Sequence, residues 1–92
     1  MKKIILNLNP CTSREEVQDY LMEALAFPTW YGHNLDALYD CLTEIARPTA
    51  IGIFQIEDTD FDLLPYKKKV LRVFFDAEDE NDNLAVIYGI SD

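Results

Sequence analysis

Three short apolar runs, separated by segments with helical periodicity, constrain most strongly how this chain can fold. The runs occupy positions 4–8, 50–54 and 84–88. Each is short and mostly apolar, as expected of a strand that is buried in a sheet. Buried strands separated by helices pair in parallel, and right-handed crossovers between three of them can place every helix on one side. The sequence therefore predicts a two-layer α/β fold with a three-stranded parallel sheet and the element order βααβαβ.

Three segments outside these runs have the apolar spacing of amphipathic helices. The first begins after Ser13, which forms a capping box with Glu16 and so satisfies backbone donors at the helix start. The second begins at Asn34, a good N-cap residue, and the third spans 67–80 after an acidic loop at 57–62. The predicted core positions of the three helices are Val17, Tyr20, Leu21, Ala24 and Leu25, then Leu35, Leu38, Cys41, Leu42 and Ile45, then Val70, Leu71, Val73, Phe74 and Ala77.

Length, charge and cysteine content limit the classes of function. A chain of 92 residues is expected to form one domain, spanning 1–92, around one hydrophobic core. Its net charge of −9 argues against binding of nucleic acid through phosphates and indicates a basic partner or simple solubility. No apolar stretch approaches the roughly 20 residues that span a bilayer, and no signal peptide is evident. We therefore expect a cytoplasmic protein without membrane contact, disulfide, metal or cofactor.

The segment 28–41 carries the clearest functional signal in the chain. Asp36 and Asp40 lie one turn apart on the helix side opposite to its apolar positions, and Tyr39 shares that side. Like charges at this spacing cost roughly 0.2–0.5 kcal/mol of helix stability, and Asp40 lies too far from the helix N-terminus to benefit from the helix dipole. Such a patch is typical of an anchor for a partner, but a solvated helix face is an equally good interpretation.

Other candidate groups carry weaker signals. His33 beside two carboxylates could serve in acid–base catalysis. A surface histidine is the simpler interpretation, because no serine, threonine or cysteine nucleophile lies at a recognisable spacing from it. Cys41 is predicted to be an inert core thiol. The three lysines at 67–69 are predicted to form a solvated face rather than a phosphate site. Asp76 lies off the core side of the third helix, which could bring it beside the two aspartates of the second.

One motif in this segment is long and specific. It reads YGHNLDALYDCL over positions 31–42. This pattern resembles the signature of the barstar family, intracellular inhibitors of the secreted ribonuclease barnase. The segment 70–77 resembles the family's later helix at a compatible spacing, and the similarity spans nearly the whole chain. The resemblance implies the barstar-like fold, a three-stranded parallel sheet with helices packed on one side, and a mechanism in which the inhibitor plugs a ribonuclease active site.

The resemblance also implies which residues meet the partner. In the family, the second aspartate of the helix occupies the phosphate-binding site of the enzyme, and by motif match this residue is Asp40. An acidic residue of the later helix adds a charge pair, and it corresponds to Asp76. The partner-binding residues implied in this way are Trp30, Tyr31, Gly32, Asn34, Asp36, Tyr39, Asp40, Thr43 and Asp76.

Three hypotheses for the function follow. The first is a ribonuclease inhibitor, or immunity protein, which is monomeric when free and protects its own cytoplasm from a secreted barnase-type ribonuclease or a related toxin domain. The second is a non-inhibitory interaction module that uses the same acidic residues on another basic protein. The third is an enzyme that works through His33 and the two aspartates, and it requires a concave pocket around them.

Overall fold

In the described residues, three strands form one parallel sheet with helices between them. The computed structural model of the chain describes residues 1–58 and 60–91. Both outer strands pair in parallel with the second strand of the chain, which lies at the centre of the sheet. The predicted α/β fold with a three-stranded parallel sheet is confirmed. The elements, in chain order, are β1 (Lys2–Leu6), α1 (Arg14–Ala24), α2 (Leu35–Thr43), β2 (Thr49–Phe54), α3 (Leu63–Glu80) and β3 (Leu84–Ile90).

The helices cover one face of the sheet. Because the strand order is β1-β2-β3, both crossovers run in the same direction, and right-handed connections then place the helices on the same side. Every predicted helix core position is buried in the cluster between the layers or packs against it. The centre of this cluster consists of Leu6, Ile51 and Ile53 of the sheet with Val17, Leu21, Leu38, Leu42, Val70 and Phe74 of the helices.

The prediction that all three strands are buried is wrong for β1 and β3. Ile5 of β1 and Ile87 of β3 flank Gly52 in the sheet, and they are 59% and 55% exposed. The face of a two-layer fold that lies away from the helices has no second layer, so only the central strand is covered by its neighbours. A Cβ at Gly52 would lie 3.0 Å from Cδ1 of Ile5 and 3.2 Å from Cδ1 of Ile90, so glycine lets these side chains close over the middle of the sheet.

Helix α1 begins at the predicted cap. Ser13 Oγ accepts a hydrogen bond from the backbone N–H of Glu16 at 3.0 Å. The Glu16 carboxylate reaches one residue further back than in a standard capping box, and it accepts from the hydroxyl of Thr12 at 2.7 Å and from its backbone N–H at 3.2 Å. These two bonds stabilise the charged carboxylate and so lower the pKa of Glu16 below its ordinary value.

Helix α3 begins at Leu63, earlier than the predicted start at 67. The side chain of Asp60 accepts hydrogen bonds from the backbone N–H groups of Asp62 at 2.8 Å and Leu63 at 2.9 Å. Pro65 lies in the first turn, where its missing N–H would have no intrahelical partner in any case. The acidic loop therefore supplies a cap that allows the helix to start sooner than its apolar spacing indicates.

The prediction that the lysine run forms a solvated face is wrong for Lys67. This residue is fully buried, whereas Lys68 and Lys69 are exposed. The Lys67 ammonium group donates to the backbone carbonyl of Cys11 at 2.9 Å and to the carboxylate of Asp58 at 2.7 Å. It thereby joins α3 to the loops that follow β1 and β2, because each loop contributes one acceptor.

Candidate functional site

The loop before α2 supplies the cap of that helix. Asn34 is the N-cap, as predicted: Oδ1 accepts from the backbone N–H of Ala37 at 2.7 Å, and Nδ2 donates to the carbonyl of Gly32 at 3.2 Å. A Cβ at Gly32 would lie 3.2 Å from this Nδ2, so glycine lets the loop pack closely against the cap. His33 has a left-handed φ of 52°, and its Nδ1 lies 3.0 Å from the carbonyl oxygen of Tyr31.

Tyr31, one of the predicted partner contacts, lies in the interior. It is 3% exposed, and its hydroxyl donates to Oε1 of Gln18, whose Nε2 donates to the hydroxyl of Tyr66 at 2.6 Å. Burial raises the pKa of Tyr31, with further contributions from Cys41 and Tyr66. The Tyr31 ring also packs against Phe27, at a centroid distance of 4.9 Å. The side chain therefore ties the loop to α1 and α3.

The side of α2 that faces away from the core carries several predicted partner contacts. Asp36 and Asp40 are exposed, and Tyr39 and Thr43 are half-buried. Within residues 1–58 and 60–91, no lysine, arginine or histidine nitrogen lies within 4.0 Å of either aspartate. Trp30 in the preceding loop is 73% exposed. The two carboxylates and the indole are accessible to another molecule.

Helix α3 brings two further carboxylates to this surface. It packs against α2, and the pKa of the Tyr39 hydroxyl is raised above its ordinary value of 10.0, first by partial burial and then by the charges of Glu80, Asp76 and Asp40. Carboxylates of both helices therefore act on the Tyr39 phenol through their charges. We call this surface the acidic face, and it consists of Asp36, Tyr39, Asp40, Thr43, Asp76 and Glu80.

Asn81, the residue that follows α3, holds the end of α2. It is 7% exposed, and its Nδ2 donates to backbone carbonyls in and just beyond the last turn of α2. The distances are 3.0 Å to Leu42, 3.3 Å to Thr43 and 3.0 Å to Ile45. The last carbonyls of a helix lack intrahelical donors, and the side-chain amide of Asn81 supplies hydrogen-bond donors to them. This contact supports the acidic face, because it joins the two helices that form it.

Sequence reasoning missed three residues that build this region. Glu80 is absent from the predicted contacts, although its i, i+4 spacing from Asp76 repeats the spacing of the two aspartates on α2 and could have indicated it. Gln18 and Asn81 carry no comparable signal. Single polar residues on a helix or at its end are ordinarily exposed, and nothing near them in the sequence marks these two as buried.

A groove of about 710 Å³ lies beside the N-terminal end of α2, between α1, the preceding loop and the start of α3. His33 and Asp36 line it, but Asp40 does not. His33 Nε2 lies 3.2 Å from Oδ1 of Asp19, which forms an ion pair when the imidazole is protonated. Catalysis by His33 and both aspartates requires a concave pocket that contains all three residues. The groove contains His33 and only one of the two aspartates.

Thiols and acidic clusters are the remaining groups that could support other chemistry. Cys11 and Cys41 are free, and burial raises the pKa of each, which favours the unreactive thiol form. In the part of the chain that the structure describes, no group of three or more histidine, cysteine, aspartate or glutamate side chains could hold a metal ion. Nor is any helix there long and apolar enough to cross a membrane.

Comparison with known proteins identifies the family. A family model described as "Barstar (barnase inhibitor)" matches residues 1–89. The chain belongs to the barstar family. A protein of Bacillus subtilis (strain 168), described as "Putative ribonuclease inhibitor YrdF", is 37% identical to it over 81 residues, which cover 87% of this chain and 89% of that protein. The resemblance seen in the sequence motif is thus confirmed.

Membership of the barstar family excludes the catalytic hypothesis, because barstar proteins are inhibitors and not enzymes. The structure divides the residues that the barstar resemblance assigns to a partner between two regions. Five lie on the acidic face and four in the loop before α2. The five are Asp36, Tyr39, Asp40, Thr43 and Asp76, and the four are Trp30, Tyr31, Gly32 and Asn34.

Proposed function

We propose that this protein is a ribonuclease inhibitor that blocks the active site of a basic, barnase-type secreted ribonuclease with its acidic face. The observation that carries the proposal is the pair of exposed aspartates on α2, which no cationic nitrogen of the described residues approaches within 4.0 Å. Like charges one turn apart cost stability in the free protein, and a basic partner would relieve this repulsion. The description of the family and the name of the Bacillus subtilis relative support the same function.

Asp40 is the residue that we assign to the phosphate-binding site of the enzyme. A ribonuclease must bind a phosphodiester, so its active site contains cationic hydrogen-bond donors. A carboxylate on a rigid helix can replace the phosphate, because it accepts charge-assisted hydrogen bonds from the same donors. Asp40 is exposed in the second half of α2, beside Tyr39, where such donors can reach it.

The other residues extend this contact. Asp36 lies one turn earlier on α2, and Asp76 and Glu80 add negative charge from α3. Trp30 offers a large exposed aromatic surface of the kind that is enriched among binding hot spots. Tyr31 supports the partner contact from the protein interior, because its buried hydroxyl fixes the loop that presents Trp30.

Net charge governs how fast the two proteins meet. The chain carries a net charge of −9, which attracts a basic enzyme. Dissolved ions screen this attraction beyond a Debye length of about 8–10 Å at physiological salt, so association slows as salt rises. A monomeric inhibitor in the cytoplasm would in this way capture a secreted ribonuclease, or a related toxin domain, that threatens its own cell. That is the role of an immunity protein.

The direct test is inhibition of barnase by the purified protein at low and at moderate ionic strength. We expect tight inhibition that weakens as salt is added. Asp40→Ala is expected to weaken inhibition at least about thirtyfold, or about 2 kcal/mol, as for a hot-spot residue. Glu23→Ala removes the same charge from an exposed position on α1 outside the acidic face, and we expect it to weaken inhibition less than about threefold.

The possible outcomes separate inhibition from other uses of the acidic face. Equal inhibition by the Asp40→Ala and Glu23→Ala variants would remove Asp40 from its assigned role. A complex in which barnase still cleaves RNA would contradict the plugging mechanism. If a pull-down that depends on Asp40 recovers a basic protein without ribonuclease activity, the protein is a non-inhibitory interaction module instead.

A further inference from the structure

The groove beside the N-terminal end of α2 has a chemistry that the acidic face does not account for. Its volume of about 710 Å³ is large enough for an amino-acid side chain with part of its main chain. Its walls come from α1, the loop before α2, and the first turns of α2 and α3. The charged and hydroxyl-bearing residues that line it are Arg14, Glu15, Asp19, His33, Asp36 and Tyr66.

Two of the three carboxylates in the groove have no cationic partner within the described residues. Asp19 is paired with His33 Nε2 at 3.2 Å, whereas Glu15 and Asp36 have no cationic nitrogen within 4.0 Å. The Arg14 guanidinium does not neutralise them, because it lies over the Tyr66 ring at 5.0 Å from the centroid. The groove is therefore suited to a cation that reaches Glu15 and Asp36.

The groove also holds hydrogen-bond donors. The Tyr66 hydroxyl accepts from Gln18 at 2.6 Å, and no acceptor for its own hydrogen lies in the described residues. Tyr66 is 9% exposed, so an occupant of the groove is better placed than bulk water to accept this bond. The Arg14 guanidinium, which lies over the Tyr66 ring, carries further N–H donors and also lines the groove. A single basic residue can satisfy both sets of groups, with its side chain on the carboxylates and its main-chain carbonyl on Tyr66 and Arg14.

The groove and the acidic face are continuous, because Asp36 belongs to both. We infer that the groove is a subsite for an arginine or lysine of the protein that binds the acidic face, an inference that rests on the proposed function. The groove residues Glu15 and Asp19 lie on α1, outside every contact that the sequence motif indicates. They would let this chain distinguish ribonucleases that have a basic residue at the edge of the active site from those that do not.

The first test uses argininamide, which carries a guanidinium group and a neutral carbonyl. In residue-resolved NMR titrations of the full chain, we expect its binding to shift the backbone amide signals of Glu15, Asp19 and Leu35. Glu15→Gln should weaken this binding at least about threefold, and the matched Glu23→Gln variant on the same helix should not change it. Norleucinamide, which has a similar length and no charge on its side chain, should leave the signals unchanged. Absence of groove shifts, or equal shifts with norleucinamide, would overturn the subsite.

The second test compares charge reversals as inhibitors of barnase. Glu15→Lys places a like charge against the incoming basic residue and is expected to weaken inhibition at least about thirtyfold, mainly through faster dissociation. Glu23→Lys makes the same change in net charge outside the groove and is expected to stay within about fivefold, through slower association alone. Glu15→Gln, which keeps the shape of the side chain, should fall between wild type and Glu15→Lys.

The results distinguish the two proposals. Equal effects of Glu15→Lys and Glu23→Lys, with inhibition still lost in Asp40→Ala, would overturn the subsite and leave the proposed function standing. A wild-type protein that binds argininamide in the groove but leaves barnase active would support the subsite and contradict the proposed function for this enzyme.

Discussion

The side-chain amide of Asn81, one residue beyond α3, donates a hydrogen bond to the carbonyl oxygen of Leu42 in the last turn of α2 over 3.0 Å. The two residues are 39 positions apart in the chain. The bond connects the helix that carries Asp36 and Asp40 to the helix that carries the remaining carboxylates of the acidic face. The geometry of that face therefore depends on a buried residue that does not belong to it.

Replacing Asn81 by alanine is expected to lower the free energy of unfolding by about 1–3 kcal/mol, because buried and partly buried carbonyls at the end of α2 lose the hydrogen bonds from its side-chain amide. Urea denaturation measures this loss. Asp82→Ala changes the exposed neighbour and is expected to shift stability by no more than about 0.5 kcal/mol. Similar losses in both variants would assign the effect to the loop and not to the amide.

The buried pair of Lys67 and Asp58 predicts an asymmetric response to mutation. Asp58→Asn should lower the free energy of unfolding by about 3–5 kcal/mol, because it leaves the Lys67 charge buried without its counter-ion. Adding Lys67→Met should recover part of this loss, since the unpaired charge is then gone. Thermal and urea unfolding of the single and double variants check the prediction. Lys68→Met, on the exposed neighbour, is the control, and a double variant less stable than Asp58→Asn alone would contradict this account.

Asp36 and Asp40 should differ in how much each destabilises the free protein. Asp40→Asn is expected to raise the free energy of unfolding by about 0.2–0.5 kcal/mol, because it removes a repulsion at i, i+4 spacing. Asp36→Asn removes the same repulsion but also loses a favourable charge in the first turn, so its net effect should be smaller or of opposite sign. Urea denaturation at low ionic strength measures both changes. A gain for Asp40→Asn that persists unchanged in high salt would contradict an electrostatic origin.

The ionisation of Tyr39 should report directly on the carboxylates around it. Its pKa in the folded protein lies above 10.0, so its contribution to stability is fully present below that pH and is lost as pH rises through the folded pKa. Glu80→Gln and Asp76→Asn should each lower the folded pKa, with the larger effect for Glu80, and the loss of stability at high pH should shrink accordingly. Partial burial, the first cause of the shift, remains in these variants, so the pKa should stay above its ordinary value.

The difference in ultraviolet absorbance between the wild type and Tyr39→Phe during a pH titration isolates this one phenol. Asp62→Asn removes a charge from the acidic loop instead and serves as the control, with no expected change in the midpoint. An unchanged midpoint after both Glu80→Gln and Asp76→Asn would show that α3 does not bring its carboxylates to Tyr39 in solution.

The sequence by itself determined the features that depend on near neighbours along the chain. Ser13 and Asn34 are recognisable as caps by residue type, and each accepts a bond from the backbone N–H three residues later. The spacing of Asp36, Tyr39 and Asp40 places them on one side of a helix, because the geometry of a helix turn is always the same. Parallel pairing of the strands follows from the helices between them. None of these inferences requires knowledge of a distant residue.

The tertiary structure alone decided which strands have a covered second face and which carboxylates share the acidic face. An apolar run looks the same in a central strand as in an edge strand, so the exposure of Ile5 and Ile87 follows only from the two-layer arrangement. The effect of the Glu80 charge on Tyr39 depends on how α3 lies against α2.

The tertiary structure also decided which polar groups are inside. Tyrosine and lysine side chains carry polar groups that favour the surface. Tyr31 and Lys67 are nevertheless buried, because each meets a hydrogen-bond partner from another part of the chain. Tyr31 donates to Gln18, 13 positions away, and Lys67 donates to Cys11, 56 positions away. Burial of a polar group is favourable only when such a partner is in place, and that condition is met by the packing of the helices on the sheet. Local sequence patterns do not indicate which side chains this packing brings together.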